Sequence, residues 1–315
     1  MKPIRPSEIR VWHRPGAVAW WWALRLLAAW LLAAPVADIL SAPTASLPRG
    51  DAVLFEPGGA YLLECLRHTQ AQLAAGTRRT LWALLLLGTM NLIPLSAVLV
   101  ALSHRGRLRP NEWSQLTARH VPAFLMLAGL TLFAQAVVLL GMTLVATTTR
   151  ETLHHALGPR NADLTAIAAA AAGVALAAGL GVLQDLARAA AVRHEVGGRA
   201  ALSIALDTVR QRPGRALVDW LTPAVYTLPV VTGAAVVTSW LRVDRDGSWR
   251  VALVFLVHQV AAFGLVALRS WWLARALVLV SAHDASVAGE HRHVEPGALR
   301  PGKPQLADRL AGTGE

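Results

Sequence analysis

The chain has 315 residues, 55% hydrophobic and only 16% charged, with a formal net charge of +11 and a mean hydropathy of +0.44. Soluble domains carry about 25% charged residues, so this composition makes a soluble helical core the weaker reading. It also argues against a nucleic-acid-binding domain, because the basic residues fall in short connections beside apolar runs, where membrane orientation accounts for them.

About 20 apolar residues cross the ~30 Å hydrocarbon layer of a bilayer. Six stretches meet that length, from Trp22 to Leu40, Leu81 to Leu102, Val121 to Ala146, Leu164 to Ala187, Ala216 to Leu241 and Val251 to Leu268. The expected fold is an all-α polytopic bundle of six spans with short amphipathic helices at its surfaces. Residues 1–282 would form the membrane domain and 283–315 a polar, disordered cytoplasmic tail.

The first apolar run follows Lys2, Arg5, Arg10 and Arg14 and contains small residues at Ala33, Ala34 and Ala37, the outline of a secretory signal. Trp20, Trp21 and Trp22 with Arg25 instead read as the interfacial anchor of a retained helix, the guanidinium snorkelling back toward the headgroups. In the next connection an amphipathic helix is expected from Gly59 to Gly76, with Leu62, Cys65, Leu66, Thr69 and Leu73 on its apolar face. Cys65 is the one cysteine and forms no internal disulfide.

After the second span, Pro110-Asn111-Glu112 supplies a helix start, and Trp113, Leu116 and His120 share one face, so a short helix is expected in the headgroup region. The fourth span is built from small residues. Ala169 and Gly173, Ala175 and Gly179, and Ala177 and Gly181 are each four apart, which lets helix backbones approach and puts this helix at the centre of the bundle. At its end Asp185 and Arg188 stand one turn apart and can pair. Beyond them Leu202, Ala205, Leu206 and Val209 form the apolar face of a second short helix, with Arg199, Ser203, Asp207 and Arg210 opposite, Arg212 following and Pro213-Gly214 ending the run.

Basic residues divide unevenly between the two sets of connections. The N-terminal arm, the segment after the second span, the segment after the fourth and the tail hold eighteen Lys and Arg; the other connections hold nine, interleaved with acidic residues. The richer side is expected to be cytoplasmic. Both termini then lie on the cytoplasmic side of a bacterial inner membrane, in agreement with an even number of spans.

The run Asp185-Leu186-Ala187-Arg188, then Val192, then a helix ending Arg210-Gln211-Arg212-Pro213-Gly214-Arg215, resembles a family of bacterial six-span membrane proteins. In that family an Asp-Tyr-Ala-Arg type motif precedes a helix that ends in a basic run before proline. Asn91-Leu92-Ile93-Pro94-Leu95, Arg105-Gly106-Arg107, His258-Gln259, Arg269 and Arg275 extend the likeness over roughly residues 15–282, with Leu186 in place of the aromatic residue. More loosely, the layout is similar to the membrane domains attached to some glycerophosphodiesterases. The resemblance implies fold and location and carries over no catalytic residue.

Direct signs of chemistry are few. Glu151, His154 and His155, and in the tail His283, Asp284, His291 and His293, lack the spacing of a preformed metal site. No phosphate loop, nucleophile elbow or His-Glu-x-x-His helix occurs. No enzyme, cofactor or metal is therefore expected. The expected role is a scaffold, accessory or envelope-organising protein that engages membrane lipids or a membrane-protein partner through Arg199, Arg210 and Arg212. The alternative is a transporter or permease for a small solute. Asn91, Gln135, Gln184, His258 and Gln259 lie within spans, and Pro223, Pro229 and Gly264 can break or loosen the fifth and sixth helices. A cavity reaching Gln135 and His258 would favour that alternative.

Overall fold

The computed structural model describes residues 9, 11–44, 60–69, 83–104, 106, 108–241 and 248–293. No β-strand occurs among them. After a 3-10 turn at Val11–His13 come α1 (Pro15–Thr44), α2 (Ala60–His68), α3 (Ala83–Ser103), α4 (Pro110–Leu157), α5 (Pro159–His194), α6 (Gly198–Gln211), α7 (Pro213–Leu241) and α8 (Ser248–His293). The helices α1, α3, α4, α5, α7 and α8 are long and apolar enough to cross a bilayer. The chain is a multi-pass helical membrane protein.

Prolines open α1, α4, α5 and α7. A helix's first amide has no partner within the helix, so proline loses nothing there. Glu112 accepts a hydrogen bond from the Arg109 amide at 3.4 Å, which satisfies one free donor at the start of α4. Gly158, at φ 78°, separates α4 from α5. That backbone conformation is strained for any residue with a Cβ. Glu195 ends α5 in the left-handed region at φ 53°.

Helix continuity departs from the sequence reading in three places. Residues 110–120 are not a separate interfacial helix, because α4 runs through Pro122 without interruption. They pack on α3: the Trp113 indole donates to the Ala97 carbonyl at 3.1 Å, and the Ser96 hydroxyl donates to the Thr117 carbonyl at 3.1 Å. Pro223 and Pro229 likewise lie inside an unbroken α7. Finally, α8 passes residue 282 and continues to His293, so no helix boundary coincides with the expected start of the tail.

The core lies at the end of the bundle where α1, α4 and α7 begin and α3, α5 and α8 end, here termed the basic end. Leu186 and Ala187 through Ala191 apart from Arg188 are fully buried, as are Leu99, Phe124, Leu273 and Leu277. Alanine makes this closeness possible, since its single methyl keeps the helix axes near one another. The helix α5 is central, as its small residues imply, and touches α3, α4, α6 and α8.

Toward the opposite, far end the bundle is thin. There α4 pairs with α5 and α7 with α8, while Leu140, Val174, Leu228 and Val260 are each more than 60% exposed. Such outward aliphatic surface suits lipid chains. Trp220 and Trp240 on α7 are 20 residues apart, about 30 Å along a helix and the depth of the hydrocarbon layer.

Among the expected glycine contacts, one is tight. A Cβ on Gly173 would stand 2.8 Å from the Met142 Cβ, so the Ala169 and Gly173 stripe is where α5 meets α4. A Cβ on Gly179 would meet nothing within 4 Å, and one on Gly181 only the Gln135 amide at 3.8 Å. Cys65 of α2 and Thr69 just after it are buried as expected, but Leu66 is exposed. Leu73 and the Leu62 side chain lie outside the described residues.

Candidate functional site

Asp185 is fully buried at the level where the lipid-facing bands of α5 and α8 give way to the basic-end core. Local spacing supplies one partner: the Arg188 Nη1 donates to Oδ1 at 3.4 Å. The closer partners come from α8. Arg269 Nη2 stands 2.7 Å from Oδ1 and 2.6 Å from Oδ2, and the Trp272 indole donates to Oδ2 at 2.8 Å. The expected local pair therefore exists, but it is the longest of the three contacts. Residues 269 and 272 are one turn apart, so both project from the same face of α8 toward α5.

Arg188 is held further by the Phe124 ring, with its guanidinium carbon 5.8 Å from the ring centre. Its Nε is buried without a hydrogen-bond partner. Nearer the end of the bundle a second carboxylate, Asp219 of α7, meets Arg275 at 3.0 Å and Arg215 at 3.8 Å. Arg275 also lies over the Trp271 ring at 4.6 Å. Two carboxylates thus hold α5, α7 and α8 together, each shared between arginines. Asp185 is the buried one of the two; removing it would leave two cations unpaired, and breaking a buried pair costs about 3–5 kcal/mol.

Arg25 of α1 completes the cluster, and among the described residues no carboxylate pairs with it. Its guanidinium carbon sits 4.9 Å from the centre of the Trp21 ring. Trp21 is itself fixed, donating from its indole to the Asn91 Oδ1 at 2.9 Å. Arg25 remains exposed. It lines a cavity of about 260 Å³ together with Arg269, Trp220, Thr227, Leu265 and Trp272. A second cavity, of about 420 Å³, lies between the start of α1 and α4 near Trp20 and Trp113. At its rim Arg14 is committed to the carbonyls of His104 and Gly106.

The remaining expected residues are dispersed. Gln135 donates from Nε2 to the Ala177 carbonyl at 2.8 Å and so fastens α4 to α5. The His258 ring is hydrogen-bonded to the Val254 carbonyl of its own helix at 2.9 Å, on an exposed face, and Gln259 beside it is half-buried. Neither cavity described above includes Gln135 or His258. A Cβ on Gly264 would stand 3.6 Å from the Val230 side chain, an ordinary contact, and α8 is unbroken there.

The amphipathic helix α6 is present, rotated from its expected face. Gly198, Ala201, Ala205 and Thr208 are buried, while Leu206 is exposed. A Cβ on Gly198 would approach the Ala123 carbonyl to 3.3 Å, so small residues seat α6 directly on α4. Arg199 and Arg210 are exposed, Arg212 is half-buried, and Arg210 has Asp207 at 3.9 Å as a loose surface partner.

No group of three or more metal-ligating side chains occurs among the described residues. The side chains of His154, His155, His283, Asp284, His291 and His293 lie outside them. The sequence reading missed Arg25, Arg269 and Trp272 as parts of one site. A signal for them existed, because Arg25, Arg269 and Arg275 stand within apolar runs, where an ionisable residue by default marks function. Comparison with protein-family models, with curated proteins and with solved structures finds no match.

Proposed function

We propose that this protein is a non-catalytic membrane scaffold or accessory protein of the bacterial inner membrane. Its basic end faces the cytoplasm and engages anionic lipid or a membrane-protein partner. The observation that carries this reading is the use made of the polar residues. Gln135 is spent on a contact between helices and His258 on its own helix. Cationic side chains instead gather at the basic end, with Arg199 and Arg210 exposed on α6 and Arg210 only loosely paired with Asp207. Because α6 is seated by small residues, its arginines are free to meet headgroups or a partner's acidic surface; each basic residue near an anionic leaflet contributes about 1 kcal/mol. The resemblance centred on Asp185-Leu186-Ala187-Arg188 agrees with this placement.

Replacing Arg199, Arg210 and Arg212 together by glutamine tests the reading. Thermal stability should be unchanged, while flotation with vesicles containing phosphatidylglycerol, or recovery of a copurifying protein, should fall. Unchanged association, together with a solute flux abolished by Gln135→Ala or His258→Ala, would replace this role with transport. Orientation is tested separately on a Cys65→Ser background. Single cysteines at Gly106 and Gly197 should be labelled only from the cytoplasm and one at Asn161 only from outside.

A further inference from the structure

The cavity between α1, α7 and α8 presents an imbalance of charge that the protein does not resolve by itself. Three arginines, Arg25, Arg188 and Arg269, lie around one carboxylate, Asp185, which is occupied by Arg188, Arg269 and Trp272 and leaves nothing for Arg25. Among the described residues no acidic side chain pairs with Arg25. The charge acting on it is the like charge of Arg269 across the cavity they line. Two guanidinium groups around one space in apolar surroundings repel each other, and an anion between them would turn that repulsion into two charge-assisted hydrogen bonds.

We propose that this cavity binds a phosphate-type oxyanion, clamped between Arg25 and Arg269. Three features specify the ligand. Arginine forks match the tetrahedral oxygens of phosphate in pairs, which a lone ammonium does not. At about 260 Å³ the space takes a headgroup and not a whole lipid. Its position is also apt: Trp220 and Trp272 flank it, about 30 Å along α7 from the far-end Trp240, which is the depth of lipid phosphates beneath one leaflet. Arg25 is exposed, so a phospholipid that reaches it from the bilayer would bring its phosphate into the cavity while its chains stay in the lipid. Asp185 then acts as a positioning residue that keeps Arg269 in place. The site adds to the lipid-engaging role proposed above and is separate from the arginines of α6.

The test uses the full chain purified in detergent, where binding does not depend on which leaflet the site faces. Native mass spectrometry should detect phosphatidylglycerol added back to the protein. Arg25→Gln should weaken that binding by about tenfold, the loss of one charge-assisted contact, and Arg25→Lys should restore only part of it. Ala224 also lines the cavity, and Ala224→Glu, which places a carboxylate there, should abolish binding even if Arg25→Gln folds poorly. Arg199→Gln with Arg210→Gln should leave it unchanged, so that failure of the scaffold reading and failure of this site are told apart. Titration with inorganic phosphate separates the sources. Competition that Arg25→Gln weakens, with no retained lipid, identifies a soluble oxyanion in the same cavity; lipid retention without competition identifies the headgroup. Binding of both probes that is insensitive to Arg25→Gln and to Ala224→Glu overturns the proposal.

Discussion

Two stretches of α5 are similarly rich in alanine and differ entirely in what surrounds them. From Leu186 to Val192 every residue is buried by protein, whereas Leu164, Ile167, Val174 and Leu176 on the same helix are more than 50% exposed. Between them stands Asp185. The contrast shows how the molecule divides its labour: the basic end is a packed helical core held by shared carboxylates, and the far end is a pair of helical hairpins that depends on lipid to cover it. In a bilayer the hydrophobic effect does not distinguish lipid chains from protein side chains. Close packing and buried polar contacts therefore decide where the helices adhere, and both are concentrated at the basic end.

The strongest way to break this contrast is to remove Asp185. Asp185→Asn keeps the shape and loses the charge, leaving Arg269 and Arg188 without a counter-ion; a loss of about 3–5 kcal/mol is expected, read as a fall in melting temperature and folded yield in detergent. The same change at the far end, Asp163→Asn, removes the exposed pair with Arg150 at 2.8 Å and should cost no more than about 1 kcal/mol. Equal effects would refute the division between the two ends.

A double-mutant cycle sharpens the assignment of partners. Arg269→Gln should recover part of the stability lost in Asp185→Asn, and Arg188→Gln should recover less, because Arg269 makes the shorter contacts. Equal recovery would restore the local pair to first rank.

Next in size is core truncation. Leu273, fully buried, should cost about 2–5 kcal/mol on replacement by alanine, whereas Leu140, 65% exposed, should change stability by less than about 0.5 kcal/mol. Thermal unfolding in detergent compares the two directly.

The smallest effects separate two glycines of one helix. Gly173→Ala forces a methyl against Met142 and should cost about 1–3 kcal/mol. Gly179→Ala meets open space and should be neutral or stabilising by up to about 1 kcal/mol, since alanine favours helix. A reversed order would place the α4 contact elsewhere on α5.

The six spans, the all-helical class, the central place of α5 and the pairing of Asp185 with Arg188 are legible in the sequence. Each depends on a local quantity: the length of an apolar run, the spacing of small residues, or two charges one helical turn apart. Hydropathy measures withdrawal from water and cannot say whether protein or lipid replaces it. Residues 189–192 and 270–282 therefore read as ends of spans or as connections, though they form the core of the basic end. Likewise, spacing within one helix cannot show that Asp185 would find Arg269 and Trp272, 84 and 87 residues away. It cannot show that Arg25 would face Arg269 across a cavity either. Those pairings depend on how α1, α5, α7 and α8 cross one another, and only the tertiary packing of small side chains sets those crossings.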